Sequence, residues 1–400
     1  MRWRILQIFN RYLHFGGEEA VVNRMTPVLR KEYDVEDFTG STRDFLGNTF
    51  TSRAQAPFRA WYNASVARQL RFRQARKPFD FWQIHNVFPG LSPAVYLEAA
   101  RLNIPIVHFL HNYRLGCVNG LFLNHGEPCQ RCIDGNFWPS FLTGCWRNSR
   151  LISGWAGLIL FFLQKYRLYE KVAAWVALSH HQKELCVRMG ISAKRIHVVP
   201  HFYVLNRPAP APAPSPKGDI LYLGRLSAEK GVDLLLKAWN QVRSGGRHLQ
   251  ICGTGPEEEG LRRMVPALKL KNVHFRGFVT GDALEEIWRQ SAFVVIPSIV
   301  PETFGMVVVE AWARHRPCLA FRLGSPAEII ENDRDGKLVE PGSVQALGGA
   351  MQSMIDHAPM VGAWGDAGAK KLSRDFSEQL WLSRMREVYQ VVATHRTHPN

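Results

Sequence analysis

No apolar run in this 400-residue chain reaches the roughly 18 residues that a bilayer-spanning helix requires, so no spanning helix is expected. The N-terminus, Met1-Arg-Trp-Arg-Ile-Leu-Gln-Ile-Phe-Asn10, has only a brief apolar stretch and no small-residue cleavage site. It reads as a first strand, not a signal peptide, and a cytoplasmic chain is the expectation. No internal repeat of solenoid period is visible, which excludes a stacked-repeat architecture. Acidic residues are scarce: 34 Asp and Glu face 50 Lys and Arg, a net charge of +16. The excess is lopsided, because residues 1–200 carry 26 cations against 13 carboxylates. Basic surface there suits anionic membrane lipid, a polyprenyl-diphosphate-linked sugar or nucleic acid. Cysteine is limited to seven residues, and in a reducing compartment clustered thiols point to metal before disulfides.

What is present is alternation. A hydrophobic content of 46% suits a globular chain, and the length exceeds one compact core and suggests two domains of similar size. Strand signals in the first half fall at Ile5–Phe9, Phe81–His85, Ile104–Leu110, Ala174–Ser179 and Ile196–Pro200. Arg207-Pro-Ala-Pro-Ala-Pro-Ala-Pro-Ser-Pro216 follows, a stiff extended linker without core-forming residues. Strands resume at Asp219–Leu223, Leu249–Cys252, Val273–Arg276, Phe293–Ile296, Cys318–Phe321 and Lys337–Val339. Strands alternating with helical segments give an α/β chain of two doubly wound, Rossmann-like domains. The expected division is 1–206 and 218–375, with the linker over 207–217 and a terminal helical segment over 376–400. That last helix, about Ser377–Val392, has apolar residues at Leu380, Trp381, Met385, Val388 and Val392.

The densest chemistry lies in Pro301-Glu302-Thr-Phe-Gly305-Met-Val-Val-Val-Glu310, where two carboxylates flank a glycine and an apolar run. Ala292–Ser298 before it reads as a buried strand. The segment from Gly305 reads as a helix uninterrupted until Pro317. Glu302 then sits in a strand-to-helix loop and Glu310 between one and two turns into the helix. A sugar nucleotide carries hydroxyls at its ribose and at its sugar, and two acceptors so spaced can grip both. Taken alone, a surface Glu plus a helix Glu paired with a cation is the blander reading. A second loop, Leu221-Tyr-Leu-Gly224-Arg225-Leu-Ser-Ala-Glu-Lys230-Gly231, follows a strand and precedes a helix. In open α/β sheets such loops attract anions. Arg225 and Lys230 can both reach one diphosphate there, although two solvated cations would look the same. Leu249-Gln-Ile-Cys-Gly253-Thr-Gly255-Pro adds a further close-approach glycine turn, weak by itself.

Together these residues resemble the C-terminal half of retaining GT-B-fold glycosyltransferases of the family 4, group 1 type. That group includes sucrose synthases and bacterial mannosyl- and glucosyltransferases, among them exopolysaccharide- and lipopolysaccharide-type enzymes. The matching pieces stand in order: Gly224-Arg225-Leu226…Lys230-Gly231, Gly253-Thr-Gly-Pro256, Val273-His-Phe-Arg-Gly277-Phe278, Pro297-Ser298, Glu302-Thr-Phe-Gly305…Glu310-Ala311 and Pro317-Cys-Leu-Ala320. The resemblance covers most of residues 1–395. It implies two Rossmann-like domains facing a cleft, the first binding the acceptor and the second a nucleotide-diphosphate sugar. It also implies a terminal helix that crosses back to the first domain. The donor site it implies comprises Gly224, Arg225, Lys230, Gly253, Gly277, Phe278, Glu302, Phe304, Gly305, Met306 and Glu310. Glu302 would hold sugar hydroxyls and Glu310 the ribose. One departure is visible: where the family has Ala-Xaa-Gly-Xaa-Pro, this chain has Ala313-Arg314-His315-Arg316-Pro317. The missing Gly should alter the turn after the helix without removing a ligand contact.

In the first half, His14-Phe15-Gly16-Gly17-Glu18-Glu19 resembles the family's glycine loop. Without side chains, Gly16 and Gly17 let backbone amides approach an oxyanion, although a plain turn is possible. His85 and His111 end two successive strand signals. By resemblance His111 contacts the donor sugar near the reacting carbon, while a structural hydrogen-bonded role suits His85 equally. Arg225, Lys230 and the helix beginning near Gly305 would stabilise the departing diphosphate, making metal-independent, retaining hexosyl transfer the implied chemistry. Asp333-Arg334-Asp335 resembles a divalent-metal motif of another fold, but a polar turn ending in Gly336 explains it better. A Cys-rich insertion over about 115–147 holds Cys117, Cys129, Cys132 and Cys145. Cys129-Gln-Arg-Cys132 has zinc-knuckle spacing; free thiols and an iron–sulfur cluster are the alternatives. Leu151–Leu163, followed by Lys165 and Arg167, is too short to span a bilayer but can lie on one, unless it is a buried domain helix. The expected partners are a sugar nucleotide, a lipid-linked or saccharide acceptor in cell-surface polysaccharide synthesis, and the inner membrane face, with no nucleic acid. A same-fold epimerase would not explain the paired cations and carboxylates. A zinc-containing nucleic-acid-binding protein would leave both Rossmann-like halves idle.

Overall fold

A computed structural model describes residues 2–13, 16–47, 50–205 and 218–397. The Pro-rich linker and the loop residues His14 and Phe15 lie outside the described residues. The chain forms two compact units: Met1–Phe122, Gln130–Pro200 and Trp381–Asn400 make the first, Leu123–Cys129 and His201–Leu380 the second.

The first unit holds a six-stranded sheet of β1 (Arg4–Arg11), β2 (Asp34–Ser41), β3 (Phe81–Ile84), β4 (Ile106–Phe109), β5 (Val172–Ala177) and β6 (Ile196–Val198). All pairings are parallel, in the order β2-β1-β3-β4-β5-β6. The second unit repeats the plan with β7 (Asp219–Leu223), β8 (Leu249–Cys252), β9 (Val273–Gly277), β10 (Ser291–Ile296), β11 (Cys318–Phe321) and β12 (Gly336–Val339). Its order is β9-β8-β7-β10-β11-β12, again all parallel. Parallel sheets need cover on both faces, so their strands run apolar without alternation. Ile106, Val107 and Phe109 in β4, and Phe293, Val294 and Val295 in β10, are accordingly buried.

The helices that carry or adjoin candidate residues are α1 (Gly17–Leu29), α2 (Arg150–Lys165), α3 (Val232–Trp239) and α4 (Met306–Trp312), and α5 (Glu378–Thr397) closes the chain. From Trp381 onward α5 belongs to the first unit. There Tyr389 lies tilted on Phe81, with ring centroids 4.8 Å apart, and edge-on to Tyr33 at 5.1 Å.

One element differs from the sequence reading. β2, with sequence Asp-Val-Glu-Asp-Phe-Thr-Gly-Ser, carries no apolar run, because it is an edge strand that buries only Val35 and Phe38. Its carboxylates face cations: Asp34 meets Arg4 and Lys77, Glu36 meets Arg73, and Asp37 meets Arg30.

The turn after α4 is built without glycine. It is left-handed, with His315 adopting φ +55°. Its amide donates to the Trp312 carbonyl at 3.0 Å, and that of Arg316 to Ala311 at 2.9 Å. A Cβ on Gly365 would come within 2.1 Å of the His315 carbonyl, so a neighbouring glycine accommodates the turn. A non-glycine residue held left-handed costs about 1–2 kcal/mol. His315→Gly is therefore expected to leave the urea midpoint equal or higher. His315→Val, β-branched at a positive φ, should lose about 2 kcal/mol in the same measurement.

Candidate functional site

Both sheets reverse their winding at the centre. The chain passes from β1 to β2 on one side and returns to β3 on the other; β7, β8–β9 and β10 repeat the reversal. Open α/β sheets take ligands at such switch points, beyond the carboxyl ends of the strands. Most of the candidate residues gather at these two places.

In the second unit, Gly224, Gly253 and Gly277 end adjacent strands with φ of +159°, +141° and +67°. The Gly224 amide donates to Cys252 at 3.0 Å and the Gly253 amide to Gly277 at 2.7 Å. A Cβ on Gly253 would lie 1.8 Å from the Gly224 carbonyl oxygen, so only glycine lets these turns touch. Gly231, at φ +62°, packs against the Pro297 carbonyl, which a Cβ would meet at 2.1 Å. The Ile299 amide donates to the Glu229 carbonyl at 3.0 Å. These two contacts fasten the loop after β7 to the loop after β10.

The fastening brings Lys230 Nζ to 2.8 Å from Glu302 Oε1, and the Ser298 hydroxyl donates to the same oxygen at 2.5 Å. Burial would push the Glu302 carboxyl up, but the Lys230 ammonium and the Ser298 hydroxyl hold it below the ordinary carboxylate value. Arg225 takes a different partner. It donates to Glu229 at 2.5 Å and to Ser227 at 3.1 Å, and the Ser227 hydroxyl donates to Glu229 at 2.6 Å. Glu229, buried yet held low by Arg225 and Ser227, anchors the guanidinium. The Arg225 side chain itself remains 57% exposed. The Tyr222 hydroxyl braces the turn by donating to the Arg225 carbonyl at 2.8 Å.

Gly305, left-handed at φ +79°, opens α4 with Met306 as its first residue and the half-buried Glu310 as its fifth. Phe278 is largely exposed. Phe304, expected against the donor, is instead 2% exposed and packs edge-on to His201 and beside Phe376. Its ring supports the loop from within. The carboxylates of Asp333 and Asp335 diverge to Lys337 at 2.6 Å and Lys371 at 2.8 Å, as a polar turn requires.

In the first unit, Gly16 precedes α1 in extended conformation, and nothing lies within 4 Å of a Cβ built on Gly16 or Gly17. Glu18, in the first turn, accepts from the Asn86 amide. Burial pushes its carboxyl up to about 7, against the pull of Asn86, Arg114 and Asn112. His85 Nδ1 and His111 Nε2 lie 2.9 Å apart, and burial lowers His111 to about 3. Glu18, Asn86 and Glu229 were not singled out from the sequence. Their only signal was a polar residue in the loop or first helical turn that follows a strand.

Cys117 is buried and its thiol donates to Asn119 Oδ1 at 3.0 Å. Among the described residues no three His, Cys, Asp or Glu side chains are grouped to hold a metal ion, and this includes Cys117, Cys129, Cys132 and Cys145. The two-residue knuckle spacing alone does not draw the outer cysteines in.

A family model for group 1 glycosyl transferases matches residues 217–357, and one for a glycosyl transferase 4-like domain matches residues 16–201. D-inositol 3-phosphate glycosyltransferase from Rhodococcus erythropolis is 25% identical over 95% of this chain and 87% of its own length. An uncharacterized glycosyltransferase from Methanocaldococcus jannaschii is 36% identical over 126 residues, 30% of this chain and 32% of its own. Several of the curated relatives are matched over less than half of their own length. Sucrose-phosphate synthase from Thermosynechococcus elongatus superposes with TM-score 0.70 and 18% identity, covering 97% of this chain and 98% of that one. HepE from Anabaena, in complex with UDP-glucose, gives 0.68 and 16%, covering 98% and 99%. At such identities the likeness concerns the fold, and both are similar to this chain over its two units.

The glycine geometry is directly testable. Gly253→Ala should cost about 3 kcal/mol in chemical denaturation, since strain and overpacking coincide there. Gly16→Ala, in open space at an ordinary φ, should stay within about 0.5 kcal/mol of the parent. An undisturbed Gly253→Ala midpoint would refute the strand-end contacts.

Proposed function

Since the chain belongs to the group 1 glycosyltransferases, with a glycosyltransferase 4-like first half, we propose that it transfers a hexosyl group from a nucleotide-diphosphate sugar to an acceptor hydroxyl. The observation that carries this reading is the Lys230–Glu302 pair, held at 2.8 Å at the switch point of the second sheet. A cation and a carboxylate fixed side by side suit a ligand that is anionic at one end and rich in hydroxyls at the other. Arg225 and Lys230, with the start of α4, face the negative charge that develops on the leaving diphosphate. Positive potential from these groups makes a divalent cation unnecessary, and the reaction is proposed to be metal-independent. Glu302 holds hydroxyls of the donor sugar and Glu310 those of the ribose. In the first unit we assign the Gly16 and Gly17 amides to an oxyanion and His111 to the sugar near its reacting carbon.

Transfer is proposed to retain configuration. The bond from the anomeric carbon to the diphosphate oxygen breaks, and the acceptor oxygen bonds on the same face. The acceptor's proton leaves with the diphosphate, so no enzyme nucleophile is needed. Because Anabaena HepE is held with UDP-glucose, UDP-sugars are the first donors to try.

For the acceptor we propose a lipid-linked or saccharide substrate of cell-surface polysaccharide synthesis, met at an anionic membrane. The support is a set of exposed apolar side chains, Trp138, Leu142, Leu151, Ile152, Phe161 and Tyr166, on and around α2. Leu151 is 79% and Trp138 62% exposed, while Ile159, Leu160 and Leu163 are buried. In sequence, Arg147 and Arg150 stand at the start of α2 and Lys165 and Arg167 at its end. No helix among the described residues is long and apolar enough to cross a membrane, so contact would be interfacial.

Glu310→Ala is expected to raise the donor KM about tenfold with kcat nearly kept, and Lys230→Ala to lower kcat about 100-fold. Full activity in either variant would defeat the assignment. In sedimentation with vesicles containing phosphatidylglycerol at physiological salt, the wild type should pellet. Leu151→Gln combined with Phe161→Gln should reduce the bound fraction about tenfold. A wild type that stays in the supernatant would refute membrane docking.

A further inference from the structure

A line of buried polar side chains crosses the first sheet beneath His111. It begins at the exposed Asp37 and the buried Thr26. A carboxylate can only accept, and Gln7 Nε2 lies 2.9 Å from Asp37 Oδ1. The Thr26 hydroxyl gives its own hydrogen to the Val22 carbonyl at 2.7 Å, so it too must accept from Gln7 Nε2, at 2.8 Å. The Gln7 amide is thereby fixed with Oε1 facing Gln83. Gln83 Nε2 must donate to that oxygen, at 3.0 Å, while Gln83 Oε1 accepts from the Tyr389 hydroxyl. The second hydrogen of Gln83 Nε2 points to His85 Nε2, 3.1 Å away.

The direction then passes to the imidazoles. His85 Nε2 is also 3.4 Å from Gln7 Oε1. A proton on that nitrogen would set two donors against each other across the shorter, 3.1 Å contact, so Nε2 is the acceptor and the His85 proton sits on Nδ1. Nδ1–H of His85 donates to His111 Nε2 at 2.9 Å, which leaves the His111 proton on Nδ1. Burial keeps His111 neutral near pH 7, so its tautomer is what its surroundings choose. Whatever His111 Nδ1 meets, it meets as a donor.

We propose that Gln83, oriented by Gln7, is a positioning residue for the transfer reaction: through His85 it sets His111 as the Nδ1–H tautomer, so that His111 addresses the donor sugar as a hydrogen-bond donor. This rests on the role proposed above for His111. A ring in the correct place but the wrong tautomer can lose several orders of magnitude in rate. Gln7, Gln83 and His85 are all buried, which shields the relay from water that would scramble it.

The test separates relay from role. The full chain, labelled with 15N-histidine and free of substrate, is examined by long-range 1H–15N correlation, with signals assigned through His85→Gln and His111→Asn. Both rings should show the Nδ1–H pattern; an Nε2–H pattern at His111 in the wild type overturns the relay. Gln83→Glu replaces the donor with a group of the same shape that, when ionised, only accepts. Both rings should then switch to Nε2–H, and a folded variant that keeps Nδ1–H overturns the proposal. If that variant does not fold, Gln83→Met should give a mixture of tautomers at His111, and an unmixed Nδ1–H signal counts against the relay. In turnover with a UDP-sugar, Gln83→Glu should lower kcat at least about tenfold with KM changed less than about threefold. An unchanged kcat despite switched rings overturns the positioning role. Absence of turnover by the wild type with every sugar nucleotide would remove the transferase reading, and the positioning role with it, while the wild-type spectrum would still decide the relay.

Discussion

The second unit depends on backbone touching backbone. Two loops leave the sheet at its switch point, and they stay together because Gly231 can press on the Pro297 carbonyl and Ile299 can donate to Glu229. Neither contact involves a charged side chain. Yet they fix where Lys230 and Glu302 stand, and a flexible lysine held to one carboxylate oxygen loses most of the freedom that makes lysines poor positioning groups. The glycines of the neighbouring strand ends do the same for Arg225, whose main chain is braced by Tyr222 and whose guanidinium is braced by Glu229. The charges are therefore held by the fold's own contacts, as the proposed electrostatic stabilisation of a leaving group requires.

The ion pair carries an obligation. Two partly buried opposite charges gain little over apolar packing, but removing one leaves the other uncompensated. Lys230 and Glu302 are consequently tied to each other in stability as well as in chemistry. The first unit is built differently. At its switch point the groups are mostly neutral: amides, imidazoles and a carboxyl, Glu18, that titrates close to neutrality. There, direction of hydrogen bonding carries the information that charge carries in the other unit.

Much of this was legible in the chain itself. Apolar, unalternating strands announced parallel sheets, and the glycine, cation and carboxylate spacings between 219 and 310 pointed to loops that the structure brings together. A family motif marks the position of Phe304 and does not say that its ring is buried. A Cys-x2-Cys spacing specifies two ligands and leaves the other two to tertiary structure, and among the described residues no third ligand joins them. β2 was invisible because its only buried apolar side chains are Val35 and Phe38. His315 stands where the motif it resembles has glycine, and its left-handed backbone fits because Gly365 leaves room for its carbonyl. The relay of Gln7 and Gln83 left a faint trace, two amides inside apolar strand runs, whose meaning depends on neighbours distant in sequence.

The acidic rim of the first sheet has an effect beyond its own ion pairs. A parallel sheet ends in a row of unsatisfied amides and carbonyls that any extended peptide can join. On β2 that row is flanked by carboxylates matched to arginines and a lysine, and at the opposite margin β6 is only three residues long. Charged side chains on one margin and a short strand on the other are both features that discourage edge-to-edge pairing. The composition that hid β2 among the loops thus also makes it a poor template for an added strand.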